Sequence, residues 1–244
     1  MKTMRAIAAL TLFAMAGAAS AGPPFLTDDP EPTDLHHWEI YNFVSGSHVA
    51  HDTAGQAGFD INYGGAKDLQ LTAVVPLDYD HADRFRAGLG DMELAAKYKF
   101  IHQGAGSALP DISFFPRVYV PTAGRRFGNG RVALLLPLWA EKDAGAWSLF
   151  GGGGYTINPG EGQRDYWHGG VGLVRKITSR LQLGVELFHF GPDADDARPF
   201  TQLNVGALWR LSPHWSLIGS AGPGIQHARD GGTASFYGAL KADY

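Results

Sequence analysis

Residues 178–214 read TSRLQLGVELFHFGPDADDARPFTQLNVGALWRLSPH. Two alternating runs stand inside this stretch. In the first, Leu181, Leu183, Val185 and Leu187 share one face and Gln182, Gly184 and Glu186 the other. In the second, Leu203, Val205, Ala207 and Trp209 oppose Gln202, Asn204, Gly206 and Arg210. A period of two is the signature of a strand with unlike faces. The gap between the runs, 191–199, is long and polar, whereas Thr178-Ser179-Arg180 before them and Ser212-Pro213-His214 after them are short. The same rhythm runs from about residue 36 to the last residue. Ala66-Lys67-Asp68 and Lys142-Asp143-Ala144-Gly145 are short gaps; 78–86, 122–130 and 158–164 are long ones. Short turns at one end, long loops at the other and an even strand number describe the up-and-down barrels of bacterial outer membranes. The expected fold is all-β: a single antiparallel up-and-down transmembrane β-barrel.

Strands are expected at about 37–48, 55–66, 69–79, 88–102, 111–121, 131–141, 146–157, 166–177, 180–190, 200–211, 214–227 and 233–244. The alternation admits two architectures. A soluble barrel or sandwich gathers its apolar face inside, and a membrane barrel turns it to lipid and wets its lumen. Two features favour the membrane form. The polar faces carry Glu93, Lys97, Lys99, Arg117, Glu186 and Arg210 among many Gly, Asn and Gln. Aromatic residues (Trp38, Tyr98, Trp139, Trp147, Tyr155, Trp167, Trp209 and Trp215) end the apolar faces, as in interfacial girdles. Pro76, Pro116, Pro137 and Pro223 fall inside expected strands and each removes a ladder donor, so each belongs at a bulge, a strand end or a rim. Ten strands with one long loop are the alternative count. An unpaired edge cannot face lipid, so the strand from Trp38 to Val44 is expected to pair with the one ending at Tyr244.

The ends divide the chain further. Lys2 and Arg5, the apolar run 6–16 and Ala19-Ser20-Ala21 make residues 1–21 a cleavable signal peptide. Residues 22–35 form a Pro-rich segment, and 36–244 the barrel domain. Thirty-three glycines and 12% aromatic residues suit closely packed strands. The lack of cysteine excludes disulfides and thiolate metal sites, and a net charge of −4 without a basic stripe argues against nucleic acid. No cofactor motif is present. Gly151-Gly152-Gly153-Gly154 lacks the Gly-Lys-Ser/Thr of a phosphate loop and reads as a crowded strand.

The candidate functional residues face the expected lumen: Asp91, Glu93, Lys97, Lys99, Arg117, Glu186, Asn204 and Arg210. A narrow barrel cannot hold such charges singly, so they pair or line water. They either set the field of a small pore or fill the barrel as a salt-bridged network. Asp28 and Asp29 precede the first strand. They belong to a solvated periplasmic tail, with a plug folded into the lumen as the alternative. Ser45, Ser47, His48 and His51 near the outer end of the first strand carry the residue types of a lipid hydrolase, but also those of ordinary loop residues. His36-His37 has no further ligands at metal spacing. Arg125, Arg126 and Arg131 flank an outward loop and either meet lipopolysaccharide phosphates or are solvated. Asp193, Asp195 and Asp196 read as a solvated acidic loop.

Gly22-Pro23-Pro24-Phe25-Leu26-Thr27-Asp28-Asp29-Pro30-Glu31-Pro32, then His37-Trp38-Glu39, then Gly88-Leu89-Gly90-Asp91-Met92-Glu93-Leu94 with Lys97-Tyr98-Lys99-Phe100 behind it, resemble the outer-membrane transporter-like family labelled for a meta-pathway of phenol degradation. That resemblance implies a β-barrel associated with passage of small, often aromatic or apolar molecules, and brings no catalytic residues. The expectation is an outer-membrane channel for passive passage of a small-molecule solute, both termini periplasmic. Its other partners would be outer-membrane lipids, lipopolysaccharide and the barrel-assembly machinery that reads a last strand ending on Tyr244. A lipid hydrolase and a sealed structural or adhesive barrel are the alternatives.

Overall fold

The computed structural model of the protein describes residues 24–49, 52–124, 126–128, 130–226 and 233–244. The expected signal peptide lies outside the described residues, as do Gly22, Pro23, His51 and Arg125. Among the described residues the strands are β1 (Trp38–Val49), β2 (Asp52–Ala66), β3 (Leu69–His81), β4 (Phe85–Leu89), β5 (Met92–Ile101), β6 (Asp111–Phe114), β7 (Arg117–Val120), β8 (Ala133–Ala144), β9 (Trp147–Ile157), β10 (Tyr166–Lys176), β11 (Leu181–Phe190), β12 (Phe200–Arg210), β13 (Trp215–Pro223) and β14 (Thr233–Asp243). All neighbours are antiparallel. β4 and β5 both pair with β3 and form one interrupted barrel strand; β6 and β7 both lie between β5 and β8 and form another. The result is a closed barrel of 12 strands.

Closure is made by β1 and β14, in register from Glu39 opposite Asp243 to Val49 opposite Thr233. The seam ends in a reciprocal pair: Trp38 N donates to Tyr244 O at 2.7 Å and Tyr244 N to Trp38 O at 2.9 Å. The sheet thus has no free edge, the condition for strands to stand in hydrocarbon.

The sorting of faces decides the solvent. Leu94 is 46% exposed, Leu183 44% and Val205 60%, while Glu93 is 9% and Glu186 1% exposed. The greasy rows point away from the axis. Trp38, Trp147, Trp209, Trp215 and Tyr244 are exposed at the end where the terminal strands begin and finish; Trp167 is exposed at the other, with Tyr155 beside it. Trp139 is a correction. It points inward at 2% exposure, against Phe115 and Phe188, because β8 is apolar on both faces and Leu134, Leu136 and Leu138 take the outward one.

The prolines mark the irregularities. Pro76 lies where β3 exchanges β5 for β4 as its neighbour, and its carbonyl accepts from Gly90 N at 3.0 Å. Pro116 lies in the gap between β6 and β7. Pro137 faces that gap from β8, accepting from Phe115 N at 3.2 Å. Pro223 ends β13. The missing N–H groups therefore fall where the ladder is already broken.

One expected loop is not a loop. Residues 78–86 hold a hairpin extension, with β3 reaching His81 and β4 starting at Phe85. Its polar residues read as a gap, yet Asp80 pairs with Arg86 within it. Gly88 likewise sits inside β4 rather than opening a strand.

A charge on the outward face at mid-height would meet lipid directly. Val205→Arg should destabilise the folded barrel by about 2–4 kcal/mol, measured by guanidinium unfolding from lipid vesicles. A wild-type midpoint for that variant would contradict the outward assignment.

Candidate functional site

The lumen is not empty. Residues 24–35 enter it from the end where β1 begins and β14 finishes, and they run upward between the walls. The segment reverses into β1 at a tight corner: His36 has φ 63°, His36 N donates to Gly64 O at 2.8 Å and Gly64 N to His37 O at 3.1 Å. A Cβ at Gly64 would lie 1.9 Å from the Asp34 carbonyl, so only glycine lets the chain cross there.

Three sets of contacts hold the segment. Lowest, Gln70 Oε1 accepts from Thr33 N at 2.8 Å and from Thr33 Oγ1 at 3.0 Å, and Gln70 is itself held by Asn62 and Thr72. Next comes a row of ion pairs in matching order. Glu31 meets Lys99 at 2.5 Å, Asp29 meets Lys97 at 3.3 Å, and Asp28 bridges Lys97 at 2.9 Å and Arg117 at 2.8 Å. Arg117 also reaches Glu93 at 3.3 Å. Across the lumen, Thr27 N donates to Glu186 Oε1 at 2.5 Å, and the other oxygen of Glu186 accepts from Asn204 Nδ2 at 2.7 Å. Highest, Ser220 Oγ donates to the Pro24 carbonyl at 2.5 Å.

Apolar contacts complete the fit. The Phe25 ring packs against Phe150 and Val174. It rests over two inward glycines: a Cβ on either Gly184 or Gly206 would come within 2.9 Å of it. Gly170 similarly clears Thr27 and Gly172 clears Phe150. These glycines went unnoticed as functional positions in the sequence. The available signal was their place on the polar, inward side of the alternation, where a missing side chain makes a hollow.

The expected lumen residues are thus partly gathered. Glu93, Lys97, Lys99, Arg117, Glu186 and Asn204 are in the lumen, all in ionic or charge-assisted contacts. Asn204 joins Glu186 to Gln202 and Ser235. Asp91 sits in the break between β4 and β5 and accepts from Ala123 N at 2.9 Å, which makes it the pin of the 121–132 loop and a structural corner. Arg210 is a correction: it ends β12 exposed at the rim, beyond the walled part of the lumen. Asp28 and Asp29 follow the plug alternative rather than the solvated tail: Asp29 is buried, Asp28 half-buried, and both are paired with Lys97.

Beside the segment lies a cavity of about 650 Å³, lined among others by Phe43, Asp60, Glu93, Arg117, Phe190 and Phe200. Ser45 and Ser47 line it too. His48 stands on the opposite side of β1, the side of exposed Val44, and its Nδ1 lies 2.9 Å from Thr53 Oγ1. Arg126 closes onto Asp80 at 2.6 Å, which fastens the 121–132 loop to the β3–β4 hairpin. The acidic 191–199 loop pairs with 158–165: the Asp193 carbonyl accepts from Arg164 N at 2.8 Å and Asn158 Nδ2 at 3.1 Å.

The sequence profile described as "Putative MetA-pathway of phenol degradation" matches residues 40–242. The chain belongs to that family. No curated protein matches the sequence. Among solved structures it is similar to the NanC porin, at 8% identity and a TM-score of 0.56, with 84% of this chain and 98% of that one covered. It is also similar to the translocator domain of the autotransporter NalP from Neisseria meningitidis, at 9% identity and a TM-score of 0.54, with 85% and 88% covered. Outer membrane phospholipase A from Escherichia coli gives 10% identity, a TM-score of 0.46, and 86% and 97% covered. The first two likenesses establish a porin-like, outer-membrane barrel fold.

The glycine hollow generates a direct test. The chain has no cysteine, so Thr27→Cys provides a single label site, and Thr27 is fully buried. Adding Gly184→Leu or Gly206→Leu should displace Phe25 and raise the rate of maleimide labelling roughly tenfold, as overpacking of one to a few kcal/mol implies. An unchanged rate would mean that the segment does not depend on that fit.

Proposed function

We propose that this protein is a passive channel of a Gram-negative outer membrane, with both ends of the barrel wall, the start of β1 and the end of β14, periplasmic and with residues 24–35 as a plug. The observation that carries this reading is a charged, water-compatible lumen with a cavity of about 650 Å³ inside a wall whose outer face is apolar. A barrel that served only as a scaffold could fill its interior with side chains of its own walls, as the smallest barrels do. Here a separate stretch of chain does the filling, held mainly by ion pairs and hydrogen bonds that water or a solute can replace. Family membership and the porin-like fold support the same reading. The long connections 158–165 and 191–199, at the end opposite the start of β1 and the end of β14, support that orientation. Outer-membrane lipids meet the apolar band, lipopolysaccharide the loop end, and the assembly machinery the strand ending at Tyr244.

The hydrolase alternative needs a Ser–His contact with a third group to orient the ring. Ser45 and Ser47 face the cavity while His48 faces away from it, an arrangement that favours the conduit.

Purified full-length protein in planar bilayers and in liposomes tests the proposal. The native chain should conduct weakly. Asp28→Asn/Asp29→Asn/Glu31→Gln leaves Lys97, Lys99 and Arg117 without their partners in the plug, and removing one side of a buried pair is worth roughly 3–5 kcal/mol. That variant should raise single-channel conductance and the liposome swelling rate severalfold. Sealed membranes with both proteins would identify a closed structural barrel instead.

A further inference from the structure

The plug is held by its carboxylates in the way a bound ligand would be. Asp28 presents one oxygen to the Lys97 ammonium at 2.9 Å and the other to the Arg117 guanidinium at 2.8 Å. Both cations lie over the ring of Phe115, Lys97 Nζ at 4.8 Å and Arg117 Cζ at 4.3 Å from its centroid. Lys97 is 4% exposed and Phe115 4%. This is a built carboxylate pocket: two donors of fixed direction, an aromatic floor, and a guanidinium suited to bidentate anions. Glu93 occupies another arm of Arg117 and holds it in place at 3.3 Å. The wall strands supply all of these groups; the plug supplies only the anion.

We infer that the cleft formed by Lys97, Arg117 and Phe115 is a binding site for small organic carboxylates, and that Asp28 of the plug occupies it as an internal stand-in. This deepens the channel reading and rests on it. The cavity next to the cleft sets the rest of the solute. Its aromatic lining, including Phe43, Phe190 and Phe200, suits a compact apolar body, and Arg117 lines it directly. The solute class is therefore an apolar monocarboxylate whose charged end displaces Asp28. Lys99 lies below, paired with Glu31, and continues the row of cations toward the end where the plug enters. Once the plug is out, Lys97 and Lys99 lose their carboxylate partners while Arg117 keeps Glu93, so the row of cations on this wall offers an anion its path.

Benzoate and benzamide have the same shape and differ in charge, so they separate the carboxylate from the ring. Two independent readouts apply. In the first, Thr27→Cys is labelled with maleimide in the otherwise native full chain. Benzoate should raise the labelling rate roughly tenfold at saturation, the factor expected when charge-assisted bonds to the plug are exchanged for bonds to solute; benzamide should leave it unchanged. In the second, the reversal potential of Asp28→Asn/Asp29→Asn/Glu31→Gln is measured across a KCl gradient. It should show chloride selectivity, and further replacement of Lys97→Gln and Lys99→Gln should abolish it. Equal labelling with both solutes, or an open channel that prefers potassium, overturns the carboxylate site and leaves the conduit standing. Benzoate-dependent labelling from a protein that never conducts upholds the site and overturns the conduit.

Discussion

Every backbone amide at hydrocarbon depth must find a partner within the protein, and that requirement shapes this molecule. It is met by the seam between β1 and β14, tied at its end by Trp38 and Tyr244. Once the ring is closed, the period of two in each strand leaves each side chain a choice of lipid or lumen. Leucines, valines and girdle aromatics go one way. Lysines, glutamates and glutamines go the other, into a space too narrow to hydrate them freely, so the charges demand partners. Residues 24–35 supply the partners of Lys97 and Lys99 through Asp28, Asp29 and Glu31, while Arg117 is shared between Asp28 and Glu93 of its own wall. The occupied lumen is thus a consequence of closure rather than an addition to it.

The interruptions obey the same requirement. The wall that carries Lys97, Phe115 and Arg117 is also the wall with both strand breaks, one between β4 and β5 and one between β6 and β7. Each break puts a proline where a donor is already missing, on the strand itself or on its neighbour. Beside Pro116, Phe115 continues the inward row of Ser113 and lies at 4% exposure beneath the two cations.

Most of the barrel was legible before any coordinates, because alternation reports a face whenever the two faces differ. It worked for β5, β11 and β12. It failed at β8, where Leu134, Leu135, Leu136 and Leu138 make both faces apolar and nothing local tells Trp139 which way to turn. It failed again at 78–86, where polar strand residues above the lipid look like a loop. Arg210 has a lumen-type position in the alternation but lies at the rim, and depth is not encoded in a period. The seating of Asp28 and Asp29 was the hardest to read. Both the acids and the basic lumen residues were visible, but their pairing spans 68 and more positions in the chain, and no local pattern carries it. The hollow over Gly184 and Gly206 was hidden for the same reason, since its occupant, Phe25, comes from a distant segment.

The corner at His36 and Gly64 gives the plug a fixed pivot. A segment that detaches from the lumen remains on a leash of about a dozen residues, so its carboxylates stay at an effective concentration in the millimolar range. Any free solute competes against that standing local supply. In the proposed channel, solute opens the lumen only as it outcompetes that supply, and the concentration this takes rises both with a shorter leash and with stronger ion pairs.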